Sequence, residues 1–121
     1  MKIMRIWLDD ERPAPQGWLL VKSAQEMISI LKDSKVFEIS LDNDLGLEDQ
    51  EGYDVVKFLE EAVFNDPSIH IPIIHVHTAN PVARQKMLAG IENIKKFKVT
   101  KYTSPRYDEV YFEGVKILNE Q

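Results

Sequence analysis

The sequence predicts an α/β fold, a three-layer sandwich built on a mainly parallel sheet of five strands. Short apolar runs alternate along the chain with segments whose apolar residues recur at helical spacing. No internal repeat, linker or low-complexity segment interrupts this pattern, so residues 1–121 are expected to form a single domain. Three of the apolar runs end in acidic residues or histidine, which places polar groups at one edge of the predicted sheet.

The composition fits a globular protein that needs no disulfides. The chain has 121 residues, 44% of them hydrophobic, and contains no cysteine. A chain of this length can bury an adequate core unaided, and the lack of cysteine is compatible with the reducing cytoplasm. The amino-terminal segment becomes acidic too soon for a signal peptide, and no apolar run approaches the ~18 residues of a membrane span. We therefore expect a cytoplasmic protein with no membrane association.

The net charge of the chain is −5 at pH 7. Nonspecific binding to nucleic acid depends on Lys and Arg that neutralise phosphates, so this balance argues against tight binding to long nucleic acid. A small phosphorylated ligand, or one end of a strand, remains possible. Four lysines near the carboxyl end are expected to form a solvated helix end rather than a nucleic-acid track. They are Lys95, Lys96, Lys98 and Lys101.

The first two predicted strands, residues 3–8 and 18–22, are joined by a stiff loop. Residues 11–17 contain two prolines and a glycine, which disfavour a helix. About seven connecting residues are fewer than the dozen or more of a usual parallel crossover. The first helix of the alternating pattern is therefore expected to be missing, and the second strand to be irregular or antiparallel.

The middle of the chain predicts two helices on either side of one strand. Ser23 and Glu26 form a capping box, which starts a helix that ends near residue 33. A hydrophobic strand follows over residues 36–42. Apolar residues at helical spacing then predict a helix from about 52 to 65.

The last part of the chain predicts a strand, a helix, a strand and a final helix. Residues 71–77 are nearly all apolar, as expected for a strand covered on both faces. Asn80 and Pro81 are the preferred cap and first-turn residues of a helix. Residues 97–102 are the last strand candidate, and Ser104-Pro105 is predicted to open the final helix. The apolar stripe of that helix consists of Tyr107, Val110, Tyr111, Gly114, Val115 and Leu118.

Carboxylates follow two of the predicted strands. Asp9 and Asp10 end the first strand, and Asp42 ends the strand over residues 36–42. Carboxyl ends of adjacent parallel strands converge on one crevice, where these acids would repel unless a cation or a proton relieved them. Oxygen ligands suit Mg²⁺ (or Mn²⁺), so the sequence predicts a divalent metal site; loop carboxylates that only stop strands are the alternative. Asp44 either adds a fourth acid to the crevice or bonds within its own turn.

His75 and His77 alternate along one predicted strand and so face the same side of the sheet. His77 lies at the strand end, where an imidazole can donate or accept a proton near neutral pH. His75 lies deeper, and we expect a buried side chain satisfied by hydrogen bonds. A zinc site is disfavoured because the chain has no cysteine and His70 lies before the strand, at its opposite end.

Three further residues are candidates for phosphate binding. The helix after His77 aims free backbone amides and the positive end of its dipole at the crevice, which favours a phosphate. Thr78 and Asn80 cap that helix and can contact a phosphate at the same time. Arg12, in the proline-rich loop, is either an ion-pair partner of Asp10 or a phosphate clamp.

The chain resembles the receiver domains of response regulators over nearly its whole length. Asp9-Asp10 corresponds to their metal-binding acidic pair, and Asp42 to their phosphate-accepting aspartate. Residues 72–79 resemble their fourth strand, which ends in Thr-Ala or Ser-Ala. Ser104 precedes Pro105 where receivers carry a lysine that reads out the phosphoryl group. The resemblance implies a flavodoxin-like sheet, and the missing lysine weighs against an ordinary phosphorylation switch.

A more specific resemblance is to the cyclic-phosphate processing receiver-like domains. Their motifs are Leu-Asp-Asp-x-Arg-x-Pro, Ser-Leu-Asp-His-Asp-Leu-Gly and His-Ser-x-Asn-Pro. Residues 8–15, 40–46 and 77–81 read Leu-Asp-Asp-Glu-Arg-Pro-Ala-Pro, Ser-Leu-Asp-Asn-Asp-Leu-Gly and His-Thr-Ala-Asn-Pro. Asn43 replaces the histidine of the middle motif, while Thr78 replaces serine and keeps the hydroxyl.

This resemblance implies a metal-dependent phosphoesterase that acts on a cyclic phosphodiester, such as a 2′,3′-cyclic phosphate at an RNA end or in a nucleotide. The predicted site has metal ligands Asp9, Asp10 and Asp42, catalytic residues His77, Asp42 and Asp10, and substrate-binding residues Arg12, Thr78, Asn80 and Asp44. One alternative is a noncatalytic receiver-like module that binds a phosphorylated ligand or a protein partner. Another is a phospho-acceptor switch that uses Asp42.

Overall fold

The structure, a computed structural model, describes residues 3–46, 50–102, 109–112 and 115–118. Four strands form one parallel sheet: β1 (Arg5–Leu8), β2 (Leu19–Val21), β3 (Glu38–Leu41) and β4 (Ile73–Val76). Helix α1 (Ala24–Asp33) follows β2, α2 (Tyr53–Asn65) follows β3, and α3 (Pro81–Tyr102) follows β4. Strands β5 (Glu109–Phe112) and β6 (Val115–Leu118) form a separate antiparallel pair.

The strand order in the parallel sheet is β2-β1-β3-β4, and its register aligns the last residues of β1, β3 and β4. Backbone hydrogen bonds carry the pairing one residue further. The Asp42 N–H donates to the Leu8 carbonyl, and the His77 N–H donates to the Leu41 carbonyl. Asp9, Asp42 and His77 therefore lie in one row at the carboxyl edge of the sheet.

The expectation of an irregular or antiparallel second strand is wrong, because β2 pairs with β1 in regular parallel register. The expected absence of a helix between them is confirmed, since residues 9–18 form bends and turns. The connection can be short because β1 has only four residues. Returning over about 13 Å, at ~3.3 Å per residue, is within the reach of an extended loop of this length.

Helices α1 and α2 form where the sequence predicts them. Ser23 is the N-cap of α1, and its hydroxyl accepts the Glu26 N–H at 3.1 Å. Helix α2 begins directly against the end of β3 at Gly52. A Cβ at Gly52 would lie 1.7 Å from the Asp42 carbonyl oxygen, so a residue with a side chain does not fit there.

The three helices lie side by side, since α1 contacts α2 and α2 contacts α3. The core between them and the sheet is aliphatic and includes Ile6, Leu8, Ile39 and Leu41 from the strands and Met27, Val55, Val56, Leu59, Met87 and Ile91 from the helices. The alternate strand residues, among them Arg5, Trp7, Glu38 and Ser40, point to the opposite face of the sheet. The predicted α/β class is confirmed, but the described helices supply only one of the two predicted outer layers.

The predicted fifth strand is wrong, because residues 97–102 are the last turns of α3. The apolar spacing of Met87, Ile91 and Ile94 continues through Phe97, which packs against the core, so one helical stripe runs past the predicted boundary. Helix α3 approaches α2 closely at Gly90, where a Cβ would lie 2.5 Å from Cγ1 of Val56. The parallel sheet consequently has four strands within the described residues.

The predicted final helix is also wrong, because residues 109–112 and 115–118 are strands β5 and β6. Their sequences, Glu-Val-Tyr-Phe and Val-Lys-Ile-Leu, are rich in β-branched and aromatic residues, which favour strands. Short apolar runs of this kind fit helical and strand periods alike. The predicted start at Ser104-Pro105, together with Tyr107 and Gly114, lies outside the described residues.

One lysine of the cluster predicted to be solvated is buried. Lys98 is 8% exposed, and its Nζ donates to the Ile69 carbonyl at 2.7 Å. Lys95 and Lys96 are less buried, and Lys95 pairs with Glu92.

Among the residues that the structure describes, no helix combines the length and the apolar character that a membrane span requires.

Candidate functional site

The side chains of Asp9, Asp10 and Asp42 meet at the carboxyl edge of the sheet. One oxygen of each carboxylate lies within 4.8 Å of those of the other two. Asp9 is fully buried, Asp42 is 7% exposed and Asp10 is half-buried. The predicted convergence of the three acids is therefore confirmed.

Asp9 is held by its own loop and by the residue that follows β4. Its Oδ1 accepts the N–H groups of Glu11 and Arg12, each at 2.9 Å, and its Oδ2 accepts from His77 Nε2 at 3.1 Å. Burial alone would raise the pKa of Asp9, but the hydrogen bonds from Arg12, Glu11 and His77 outweigh burial and hold the pKa below its ordinary value. Asp9 is thus an ionised carboxylate with three of its roughly four acceptor positions occupied.

Asp42 is shifted in the opposite direction. Burial, together with the nearby charge of Asp9, raises the pKa of Asp42, although the Asn43 N–H donates to its Oδ1 at 2.8 Å and works against the shift. Within the described residues, the Oδ2 of Asp42 makes no hydrogen bond. A carboxylate in such surroundings gains from a nearby cation, because the cation offsets the cost of its charge.

The loop after β3 forms a wall beside Asp10. Gly46 in this loop has a φ of 75°, and a Cβ there would lie 2.8 Å from the Oδ2 of Asp10. The missing side chain lets the Asp10 carboxylate approach this loop. Three oxygen donors and a carboxylate of raised pKa fit a hard divalent cation such as Mg²⁺.

His77 lies against the acids with both ring nitrogens hydrogen-bonded. Its Nδ1 is 2.8 Å from the Ser40 Oγ, and its Nε2 contacts Asp9. The imidazole stacks on the Trp7 ring with centroids 4.0 Å apart and planes at 11°. Burial lowers the pKa of His77 below its ordinary value, more than the neighbouring Asp9 raises it. The proton-transfer role of His77 stays a prediction.

The other histidines lie away from the acids. The His75 side chain is half exposed and pairs with Glu38, which also binds Arg5 at 2.9 Å. The expected burial of His75 is wrong, while its expected hydrogen bonding is confirmed. His70, before β4, bonds to the Val36 carbonyl. In the part of the chain that the structure describes, the three acids alone have the spacing of a metal-binding group.

The helix cap beside the site forms as predicted. The Asn80 Oδ1 accepts the Ala83 N–H at 3.1 Å, and the Thr78 Oγ1 accepts the Asn80 N–H at 3.1 Å. Arg12 pairs with Asp9, at 3.6 Å from Nε to Oδ2, and not with Asp10 as one alternative had it. Its side chain is 53% exposed, so most of the guanidinium faces solvent. Phosphate contact by these three residues stays a prediction.

Asp44 does not join the acidic group. It is exposed, and its backbone bridges to Glu51, which matches the turn alternative. Its neighbour Asn43 is 3% exposed and anchors this turn: its amide donates to Glu51 at 3.2 Å and its Oδ1 accepts the Tyr53 N–H at 3.0 Å. The residue that replaces the family's histidine therefore ties the end of β3 to the start of α2.

A pocket of about 450 Å³ opens beside the acids, between the loop after β3 and the first turns of α3. Its walls include Asn43, Asp44, Gly46, Glu51, Asn80 and Lys86. The Lys86 Nζ lies 3.6 Å from an oxygen of Glu51. Gly46 lines the pocket and lies next to Asp10, so the pocket neighbours the acidic group, although none of the three acids lines it.

Sequence reasoning missed Ser40 and Trp7 as members of this site. Each precedes an acid by two positions, since Ser40 comes before Asp42 and Trp7 before Asp9. Alternation along a strand places residues at this spacing on the same face. This spacing could have placed Ser40 and Trp7 near the acids, although it does not predict that both residues contact His77.

A parallel sheet of this order, with acids at its carboxyl edge and a helix after each of its last three strands, is the architecture of a receiver domain. The chain belongs to the cyclic-phosphate processing receiver domain family, whose model matches residues 4–93. Comparison with curated proteins and with solved structures found no match. The family match confirms the resemblance and the predicted fold class, and it ends before residues 97–118, where both wrongly predicted elements lie.

Proposed function

We propose that this protein is a metal-dependent phosphoesterase that hydrolyses a cyclic phosphodiester, in a nucleotide or at an RNA end. The observation that carries the proposal is the meeting of three carboxylates within 4.8 Å, next to the start of α3. Membership in a family of cyclic-phosphate processing receiver domains supports the substrate class.

Asp9, Asp10 and Asp42 would hold Mg²⁺ or Mn²⁺. Asp42 offers a free oxygen and Asp9 one remaining acceptor position. Such a cation, when bound, withdraws charge from a phosphoryl oxygen and makes a nearby water a better nucleophile at neutral pH. The raised pKa of Asp42 supports this assignment, because burial and the Asp9 charge disfavour an isolated carboxylate there.

The start of α3 and Arg12 would hold the remaining phosphate oxygens. The 22-residue helix aims the positive end of its dipole at a phosphate, and of its first-turn N–H groups that of Val82 is left by the cap, since Pro81 has none and Ala83 bonds to Asn80. Arg12 is fixed through one contact with Asp9 and keeps its other N–H groups for a second anion. The adjoining pocket, with Asp44 on its wall, has the volume of a small-ligand site and would take the nucleoside.

The test is hydrolysis. The protein is incubated with Mg²⁺ or Mn²⁺ and with 2′,3′-cyclic nucleotides, 3′,5′-cyclic nucleotides and an RNA that ends in a 2′,3′-cyclic phosphate. We expect a metal-dependent monoester product from at least one substrate, and at least ~10²-fold less product from Asp42→Asn. Unchanged substrates with every metal would rule out the enzyme.

The second candidate is a noncatalytic module that binds a phosphorylated ligand at the same site. It is favoured by one observation, that both ring nitrogens of His77 already bond to protein atoms. Calorimetry would then detect metal-dependent nucleotide binding without turnover. A stable phosphoryl adduct on Asp42 after incubation with a small phosphodonor would indicate the phospho-acceptor switch instead.

A further inference from the structure

We propose that Asp9 fixes the tautomer of His77, that Ser40 holds the imidazole by donating to its other nitrogen, and that His77 is thereby a positioning residue that holds Asp9 in place for the cation. This inference rests on the proposed function, because it concerns the same site. It gives His77 a role different from the proton transfer that its place at the strand end predicts.

The hydrogen-bond partners define which nitrogen of His77 carries the proton. Asp9 is an ionised carboxylate and can only accept, so the His77 Nε2, 3.1 Å from its Oδ2, must be the donor. A neutral imidazole has a single N–H, and its Nδ1 is therefore an acceptor. The Ser40 hydroxyl, 2.8 Å from Nδ1, then donates to it. Asp9 selects the Nε2–H tautomer in this way, and Ser40 holds it by donating to Nδ1.

The same geometry leaves His77 no route for proton exchange with a substrate. A second proton would have to enter at Nδ1, which the hydroxyl of Ser40 occupies, and Ser40 is only 3% exposed. Loss of the Nε2 proton would leave an imidazolate beside Asp9. The stacked Trp7 ring, 4.0 Å away, further restricts rotation of the imidazole. Its two hydrogen bonds and the stacked ring hold His77 in one orientation.

Holding Asp9 has a direct use for a cation. The Oδ1 of Asp9 accepts two backbone N–H groups, so its remaining acceptor position is on Oδ2, beside the bond from His77 and 3.6 Å from the Arg12 Nε. The His77 N–H fixes the rotation of the carboxylate and hence the direction of that remaining position. Groups that orient metal ligands in this manner typically contribute ~10- to 100-fold to metal affinity.

Glutamine provides the decisive substitution. In His77→Gln the side-chain amide nitrogen reaches about as far as Nε2, so it can donate to Asp9 but cannot transfer a proton. In His77→Asn the amide is shorter and stays on the Ser40 side, which makes this variant the matched control. Mn²⁺ affinity of both variants and of the wild type is measured by electron paramagnetic resonance, and turnover is measured with the best cyclic nucleotide at saturating Mn²⁺.

We expect His77→Gln to keep Mn²⁺ affinity within about threefold of the wild type and to keep most of its turnover, while His77→Asn loses ~10- to 100-fold in affinity. Unchanged Mn²⁺ affinity in both variants, with turnover reduced ~10²-fold or more in both, would overturn the proposal and identify His77 as the proton carrier.

The tautomer is tested on the metal-free protein, without substrate, by ¹⁵N NMR of the imidazole. The wild type and Ser40→Ala should both show the Nε2–H form, because Asp9 accepts from Nε2 in each, and Asp9→Asn, whose amide can also donate, should show a mixture of tautomers. An Nδ1–H form in the wild type overturns the proposal even where a Ser40 variant does not fold. Because the NMR and Mn²⁺ measurements need no substrate, failure of the cyclic-phosphate assay alone would reject the proposed function and leave this inference to be judged separately.

Discussion

Replacing Asp42 by Asn should stabilise the metal-free protein and remove most of its stabilisation by Mg²⁺. Burial and the Asp9 charge raise the pKa of Asp42 above its ordinary value of 3.8. Between pH 3.8 and the raised pKa, the folded protein binds more protons than the unfolded chain, so the free energy of unfolding falls as the pH rises through this range. The ionised Asp42 side chain therefore lowers stability at neutral pH. Asn has a similar shape, can still accept the Asn43 N–H, and carries no charge.

The size of the effect follows from the geometry. Two unit charges no more than 4.8 Å apart repel by at least about 3 kcal/mol at an effective dielectric constant of ~20, and by at least about 1 kcal/mol in water. Asp42 is nearly buried, so we expect Asp42→Asn to raise the free energy of unfolding by about 1–3 kcal/mol. Mg²⁺ at a hundredfold excess over its Kd adds about 2.7 kcal/mol to the wild type. In a domain of this size that corresponds to about 10 °C in Tm.

The assay is a set of melting curves in EDTA and at increasing Mg²⁺ for the wild type, Asp42→Asn and Asp44→Asn. Asp44 lies outside the acidic group, so its variant should respond to Mg²⁺ like the wild type. At a pH below 3.8 the advantage of Asp42→Asn in EDTA should vanish, because Asp42 is then protonated in both states. Equal Mg²⁺ shifts in the wild type and Asp42→Asn would refute the metal site. Lower stability of Asp42→Asn in EDTA at neutral pH would refute the repulsion argument.

Three further changes have defined outcomes. Gly46→Ala should lower the free energy of unfolding by about 1–2 kcal/mol because of the positive φ, and it should also weaken the Mg²⁺ response, since the new Cβ would lie 2.8 Å from Asp10. Gly17→Ala is the control: its φ is 88° and nothing lies within 4 Å of a Cβ, so it should lower stability and keep the Mg²⁺ response. Gly90→Ala gains about 1 kcal/mol of helix propensity but places a Cβ 2.5 Å from Val56; we expect a net loss in urea denaturation, recovered in part by adding Val56→Ala. The pKa of His77 lies below its ordinary 6.5, chiefly through burial, so the unfolded chain binds more protons below that pH. The metal-free wild type should therefore lose stability as the pH falls below 6.5, and His77→Gln should lose less.

The carboxyl edge of the sheet could be predicted because its signals are local and repeated. Asp9 and Asp42 each end an apolar strand, and parallel pairing brings such ends together whatever the order of the strands. The helix cap at Asn80 could be predicted in the same way, because Asn followed by Pro is a short-range signal for a helix start. Hydrogen-bond partners could not be read in this way. That Arg12 pairs with Asp9 and not Asp10, or that Ser40 reaches His77, depends on side-chain directions that spacing does not fix.

The predictions of the carboxyl-terminal strand and helix are wrong for a different reason. The sequence predicts a solvated Lys98, yet this residue belongs to the buried stripe of α3, and its Nζ donates to the Ile69 carbonyl. A lysine counts as polar in a sequence pattern and so appears to end an apolar stripe. Its long alkyl stem can nevertheless be buried at a stripe position while its ammonium group is hydrogen-bonded. A pattern that stops at Ile94 predicts a shorter helix than α3, and strict alternation of strands and helices then assigns residues 97–102 to a strand.

The stacking of Trp7 on His77 gives the protein an optical reporter of its own. The chain has two tryptophans, and Trp18 meets Trp7 edge-on, with centroids 5.7 Å apart and planes at 84°. All indole emission therefore comes from a pair of rings in contact with the side chain that bonds to Asp9. If a cation or a nucleotide binds at the acids as proposed, we expect this emission to change, so that binding can be followed in the unlabelled protein without altering a residue of the site.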